Sequence, residues 1–389
     1  MPDYGPPSGN KELRAYAEIL AQSFAGKVED MLDWLTQLPE RELRVWRENG
    51  RVIAGLTAYR IGQFFSGQSV PMAGIAGVVV TPHARKGGAG SGAMLAALHE
   101  LHAEGTALST LYPATQPVYR KLGYEVAGAH INYALPIGTI TTREHGAEIR
   151  PAEIEDESAM AALYRERAQA TNGNLDRSAF FWLRKWGKGE NAAYRYMIEE
   201  NGKATGYVIY RAQRVSFPKQ DLVVADFMVK SQAAARRLLS FFAEHRSVGE
   251  RVTLFGAPIE PLFFQLAEQK HKIEARWDWM TRIVCLKPAL EKRGYAKHVK
   301  ATLELDVRDD VLGENNGRWK FEVEGGAAKV EKGGKGKVKV DIRGLASMYT
   351  SALSAQDAEQ VGYLEASETD KATLNAVFAG PTPWTPDFF

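Results

Sequence analysis

One plan occurs twice in this chain, and that repetition constrains the fold more than any other feature. Glu48-Asn49-Gly50 opens a β-rich run to Arg60, and Glu200-Asn201-Gly202 opens a similar run to Arg211, with one residue of slippage between them. Asn-Gly suits the positive φ angles of a two-residue hairpin turn, so each run is predicted to be the second arm of an antiparallel hairpin. Such a chain folds as a duplicated domain rather than around one core, and 389 residues leave room for a third domain.

The elements around the first hairpin define the repeated unit. Leu13, Tyr16, Ala17, Leu20 and Phe24 recur at intervals of three and four, which predicts an amphipathic helix over 13–24. The run 73–81 reads as a buried strand, leading through Pro82 and a glycine-rich loop into a helix over about 91–104. In the second copy, a strand over 222–229 enters a helix ending near His245. There Lys230-Ser231-Gln232-Ala233-Ala234-Ala235 replaces the glycine loop, so this copy is expected to have lost cofactor binding. After Pro288 the texture changes to alternating strands over 301–307 and 318–323, then a Gly/Lys-rich hairpin through 333–336 and helices over 345–353 and 370–378. The proline-stiffened tail 381–389 reads as placed rather than frayed. The expected domains are 1–147, 148–288 and 289–389.

Composition narrows the function classes. An apolar fraction of 45% and a charged fraction of 25% describe an ordinary globular chain. A net charge of +2 without a basic cluster implies neither nucleic acid nor an anionic membrane as partner. No apolar run is long enough to span a bilayer and no signal segment opens the chain, so a cytoplasmic location is expected. The single cysteine, Cys285, cannot form an internal disulfide and sits in a strand-like run as a buried thiol. His99 and His102 lie three apart with no third ligand near in sequence, and no metal is expected.

The sharpest chemical signal is 78–94, where Arg85, Gly88 and Gly90 have the spacing R-x-x-G-x-G before a helix. Glycines let the backbone approach a pyrophosphate, and a helix start offers it unpaired N–H groups. By itself the pattern says phosphate, or a plain strand-to-helix turn. No Walker-type Gly-Lys-Ser/Thr follows, and the preceding helix and hairpin are not a βαβ unit.

The order helix, hairpin, strand, R-x-x-G-x-G, helix, strand, aromatic turn resembles the GNAT family of N-acetyltransferases. The whole chain more closely resembles the Eis-like (enhanced intracellular survival) members, through 78–90, Val118–Tyr124, Leu290–Tyr295 and Pro383–Phe389. That resemblance implies an α+β protein: two GNAT-like mixed-sheet α/β regions, the second degenerate, followed by a sterol-carrier-like α/β domain. It implies acetyl-CoA as donor, with Val78 and Val80 binding the pantetheine arm and acetyl carbonyl through their backbone, and Arg85, Lys86, Gly88 and Gly90 at the pyrophosphate. It further implies Tyr119 as general acid, the carboxylate of Phe389 as base, a small-molecule or peptide amine as acceptor (an aminoglycoside, polyamine or lysine), and a homo-oligomer, often hexameric. Asp30, Asp33 and Asp387 are acids that could meet a cationic acceptor, and Phe24, Trp34 and Phe64 could form aromatic walls. The competing expectation is a lipid or apolar-ligand binder with a vestigial acetyltransferase attached.

Overall fold

A computed structural model describes residues 3–187, 189 and 192–389. The chain divides into two compact units, Met1–Ala127 with Asp278–Gly380 and Phe389, and Gly128–Trp277 with Pro381–Phe388. The sterol-carrier-like segment thus belongs to the unit of the first copy, and most of the tail to that of the second.

In the first unit, helix Gly9–Phe24 packs Tyr16, Ala17, Ile19, Leu20 and Ala21 inward, and a shorter helix, Val28–Thr36, follows. Strands Leu43–Glu48 and Arg51–Phe65 form the expected hairpin. Asn49 and Gly50 have φ of 51° and 72°, the pair of positive values that a two-residue turn matched to the strand twist requires. Arg51–Phe65 returns through a second tight turn, Ser66-Gly67, into Gln68–Val80. That strand pairs in parallel with Leu108–Leu111, which pairs on its other edge with Met280–Ile283.

The sterol-carrier-like part has its own five-stranded sheet, in the order Ala327–Lys332, Gly317–Glu324, Ala301–Arg308, Val338–Asp341, Leu364–Glu365. The expected hairpin through Gly333–Gly336 is not formed. Val338–Asp341 pairs in parallel with Ala301–Arg308, with two strands between it and Ala327–Lys332, so the glycine-rich segment is a crossover rather than a turn. Gly334 and Gly336 make the path possible by running beside Glu304 and Asp306, where a Cβ would lie 3.5 and 3.1 Å from those side chains.

This sheet is fastened to the first copy by 290–295. A Cβ on Gly294 would stand 2.0 Å from the carbonyl oxygen of Ser66, while the Gly294 N–H donates to Phe65 O at 3.2 Å. Arg293 is buried between the rings of Tyr295, Tyr349 and Phe378, donating to the carbonyls of Tyr349 and Gly294.

The second unit repeats the first in outline. Its sheet order is Glu125–Pro136 (through its later residues), Gly249–Gly256, Lys219–Val229, Lys203–Ser216, Tyr194–Glu200, Glu148–Pro151. Asn201 and Gly202 have φ of 51° and 71°, reproducing the first copy's turn. Helix Gln232–Glu244 covers one face through Leu238, Leu239 and Phe242. Among the described residues, no helix is long and apolar enough to cross a membrane.

Candidate active site

In the first unit, Gln68–Val80 keeps pairing with Arg51–Phe65 as far as Val80, yet its pairing with Leu108–Leu111 stops at Ile75. Between these points the strand bulges, because Thr57 faces Ala76 while Gly55 already faces Val79, leaving Gly77 and Val78 opposite one residue. Gly77 has φ of +59° and gives its carbonyl to the Tyr16 hydroxyl at 2.9 Å; a Cβ there would lie 2.7 Å from that hydroxyl. The bulge bends the strand, and the edge of 76–80 is left without a neighbouring strand on the side of Leu108–Leu111. Val78 and Val80, both partly exposed, lie on this edge.

The strand leads through Thr81, whose Oγ1 is buried without a partner, into the glycine loop. Arg85 and Lys86 are exposed, Lys86 with φ of 69°, and Gly88, with φ of 89°, is the N-cap of helix Ala89–Ala103. No side chain caps this helix, so its first N–H groups remain available. Gly90 packs so closely that a Cβ would lie 3.0 Å from Val80 Cγ2. Free strand edge, bare helix start and two exposed cations form a cradle suited to an extended ligand ending in phosphates.

Tyr119 lies on the short helix Gln116–Arg120, and its ring joins the apolar cluster that holds Ile75, Leu111 and, at the margin, Val78. Tyr124 meets it edge-on at 6.0 Å and hydrogen-bonds Ser109 Oγ at 2.7 Å. Burial raises the Tyr119 phenol above its ordinary range, so it carries its proton at neutral pH. The turn that follows owes its form to Gly123, whose φ is +82° and whose missing Cβ would stand 2.8 Å from the guanidinium of Arg282. Arg282 is itself bound by Asp309 at 2.7 and 2.6 Å.

Phe389 is 8% exposed and packs its ring on Gly74, where a Cβ would be 3.1 Å away. Gly74 is one residue before the point at which the strands part. The rings of Tyr112 and Tyr59 stand edge-on to Phe389 at 5.5 and 6.4 Å, and Trp34 Nε1 donates to the Tyr59 hydroxyl at 2.9 Å. Of the aromatic residues considered from sequence, Trp34 therefore belongs to this wall, Phe64 is buried core, and Phe24 is 58% exposed. Asp30 and Asp33 are exposed on the helix that carries Trp34. Cys285 is buried, its thiol pushed up by that burial to about 11, and is inert as a nucleophile.

In the second unit, Asp387 is not an open acid. Its carboxylate accepts from Arg177 Nε at 3.1 and 3.0 Å, Lys185 Nζ at 3.1 Å and the Tyr164 hydroxyl at 3.2 Å. Arg177 also binds Asp226, which takes further bonds from Arg167 and Tyr207. Sequence inspection missed this network, since its members are separated by up to 223 residues and carry no local motif.

Comparison with known proteins agrees with this architecture. Residues 7–127 and 173–283 each match a family described as "Acetyltransferase (GNAT) domain", and 286–386 match "Sterol carrier protein domain". A GCN5-related N-acetyltransferase from Anabaena variabilis ATCC 29413 is 34% identical, with all of both chains covered and a TM-score of 0.95. An uncharacterized N-acetyltransferase from Streptomyces griseus is 25% identical over 356 residues, 83% of each chain. Eis1 from Mycobacterium abscessus shares the fold at 21% identity, with all of both chains covered and a TM-score of 0.81. Two GNAT regions followed by a sterol carrier domain, together with a full-length relative at this identity, place the chain among the GCN5-related N-acetyltransferases.

Proposed function

We propose that the protein moves an acetyl group from acetyl-CoA directly to a primary amine. The observation that carries this reading is a meeting of features at one place in one compact unit. Parted strands, a glycine-started uncapped helix and a buried chain end converge around Gly74–Gly90. Val78 and Val80 offer backbone hydrogen bonds along the free edge, and Arg85, whose Nε now donates to the Val80 carbonyl at 3.4 Å, turns with Lys86, Gly88 and Gly90 to receive the pyrophosphate. Backbone groups fixed before reaction are well suited to the charge that develops on the acetyl oxygen.

As the amine nitrogen bonds to the acetyl carbon, the carbon–sulfur bond breaks. The proton of Tyr119 passes to the departing thiolate, and the amine's proton passes to the Phe389 carboxylate or a water it holds. A phenol retained in its protonated form by burial is available for the first transfer. The aromatic wall of Trp34, Tyr59 and Tyr112, with Asp30 and Asp33 exposed nearby in sequence, supports a cationic acceptor: an aminoglycoside, a polyamine or a lysine side chain. The lipid-carrier alternative leaves the free strand edge and the uncapped glycine start of the first unit without a role.

Thiol release from acetyl-CoA across a panel of such amines, with the parent and Tyr119→Phe side by side, tests the reading. Turnover should fall by roughly 10²–10⁴ in the variant with acetyl-CoA affinity unchanged. Equal turnover would remove Tyr119 from the acid role, and failure to bind acetyl-CoA would remove the donor.

A further inference from the structure

The second copy keeps the cleft of the first while closing it to a pyrophosphate. Strand Lys219–Val229 pairs with Gly249–Gly256 only between Gln220 and Val223, then runs on to Val229 without it. The two copies can be put in register through one shared bond. Thr81 N donates to Ile53 O, and Lys230 N donates to Thr205 O, each acceptor standing at the same remove from its hairpin glycine. Lys230 thus corresponds to Thr81, and Phe227 to Val78. The Phe227 carbonyl, however, accepts from Arg167 Nη1. Ser231 Oγ caps helix Gln232–Glu244 by accepting from Ala234 N at 2.9 Å, and itself donates to Glu200. An arginine occupies the open backbone edge, and a serine cap replaces the bare glycine start.

What remains is a cavity of about 620 Å³, in the size range of small-molecule sites. Its walls include Met228, Val229, Ala235, Ile259, Leu262 and Trp384. Three charged residues line it, and two are in salt bridges: Arg167 with Asp226 at 2.9 Å, an acid it shares with Arg177, and Lys230 with Glu166 at 2.6 Å. Glu260, 8% exposed, forms no salt bridge among the described residues, and Arg167 across the cavity favours its charge less than burial opposes it. Its carboxylate accepts only the backbone N–H groups of Ala257 and Leu262, at 3.0 and 3.1 Å. Burial raises this carboxyl above its ordinary range, the signature of a charge short of compensation.

We propose that the second cleft is a binding site for a compact, mostly apolar molecule bearing one protonated amine. The amine sets an N–H against Glu260, and the apolar body lies on Met228 and Trp384. The site is separate from acetyl transfer and does not depend on that reading.

N,N-dimethylphenethylamine, a tertiary amine that cannot be converted to a stable amide, is the probe. Titration calorimetry on the full chain should give saturable binding at a single site. Glu260→Gln should weaken it by about tenfold or more, because a buried charge loses its partner. Ile259→Lys, at a position 73% exposed, should weaken it by placing a like charge at the rim, and carries the test should the first variant fail to fold. Thiol release should stay at the parental level in both variants. Absence of saturable binding, unchanged affinity in the folded variants, or equal affinity for 3-phenylpropionate would each overturn the proposal.

Discussion

Asp387→Asn tests whether buried charge holds the tail that ends in Phe389. The carboxylate and the Arg177 side chain it binds are 1% and 0% exposed, and Lys185 Nζ lies 3.1 Å away. Asparagine leaves Arg177, which is buried, and Lys185, 13% exposed, with one counter-charge fewer. Removing one partner of such a pair destabilises by about 3–5 kcal/mol while the geometry is kept. The protein can escape this penalty by letting 385–389 leave, which rehydrates both cations. The penalty then appears as a fall in the docked population, by up to about 10²–10³. Thiol release with a good acceptor should drop by a comparable factor, and acetyl-CoA affinity, measured by calorimetry, should not change. Adding Lys185→Met removes the surplus cation and should restore part of the turnover, giving a positive coupling in a double-mutant cycle. Turnover in Asp387→Asn within about threefold of the parent would refute the anchoring role, since that corresponds to well under 1 kcal/mol. The pH dependence has a definite sign. Burial alone would raise the Asp387 carboxyl, but Arg177 and Lys185 outweigh it and hold it at about 2. Its contribution is therefore complete above the ordinary aspartate range and is lost only as pH falls through about 2. An acid limb in the activity profile nearer neutrality must come from another group.

Arg85→Ala with Lys86→Ala should weaken acetyl-CoA binding at least tenfold and leave it less sensitive to added salt than the parent, as read by calorimetry at two ionic strengths, since the two exposed cations proposed to meet the pyrophosphate are gone. Gly294→Ala should destabilise the first unit by about 1–3 kcal/mol in urea unfolding, because the new methyl meets Ser66 O and the junction must shift. Arg282→Met strands the buried carboxylate of Asp309 and should lower stability by about 3–5 kcal/mol, with Arg282→Met/Asp309→Asn recovering part of it.

What could be read from the sequence was whatever is local. Asn49-Gly50 and Asn201-Gly202 dictate their turns by backbone chemistry, and the spacing of Arg85, Gly88 and Gly90 before a helix marks an open cradle. Ser66-Gly67 makes a turn of the same kind but offers a weaker signal, and the long hairpin it closes could not be delimited beforehand. Gly333–Gly336 misled because a glycine run between two strands gives direction reversal and crossover the same composition; only pairing with Ala301–Arg308 decides between them. Asp387 had the appearance of a substrate acid, since nothing in its neighbourhood announces Arg177 or Lys185. The duplication is what makes the division of labour intelligible. Arg167 and Ser231 close the second copy's strand edge and helix start, and Arg167 shares Asp226 with Arg177, the residue that grips Asp387. The arginine at the second copy's strand edge is therefore continuous, through Asp226 and Arg177, with Asp387 in the tail. In the second copy, the residues that occupy the strand edge and those that hold Asp387 therefore meet at one carboxylate, Asp226.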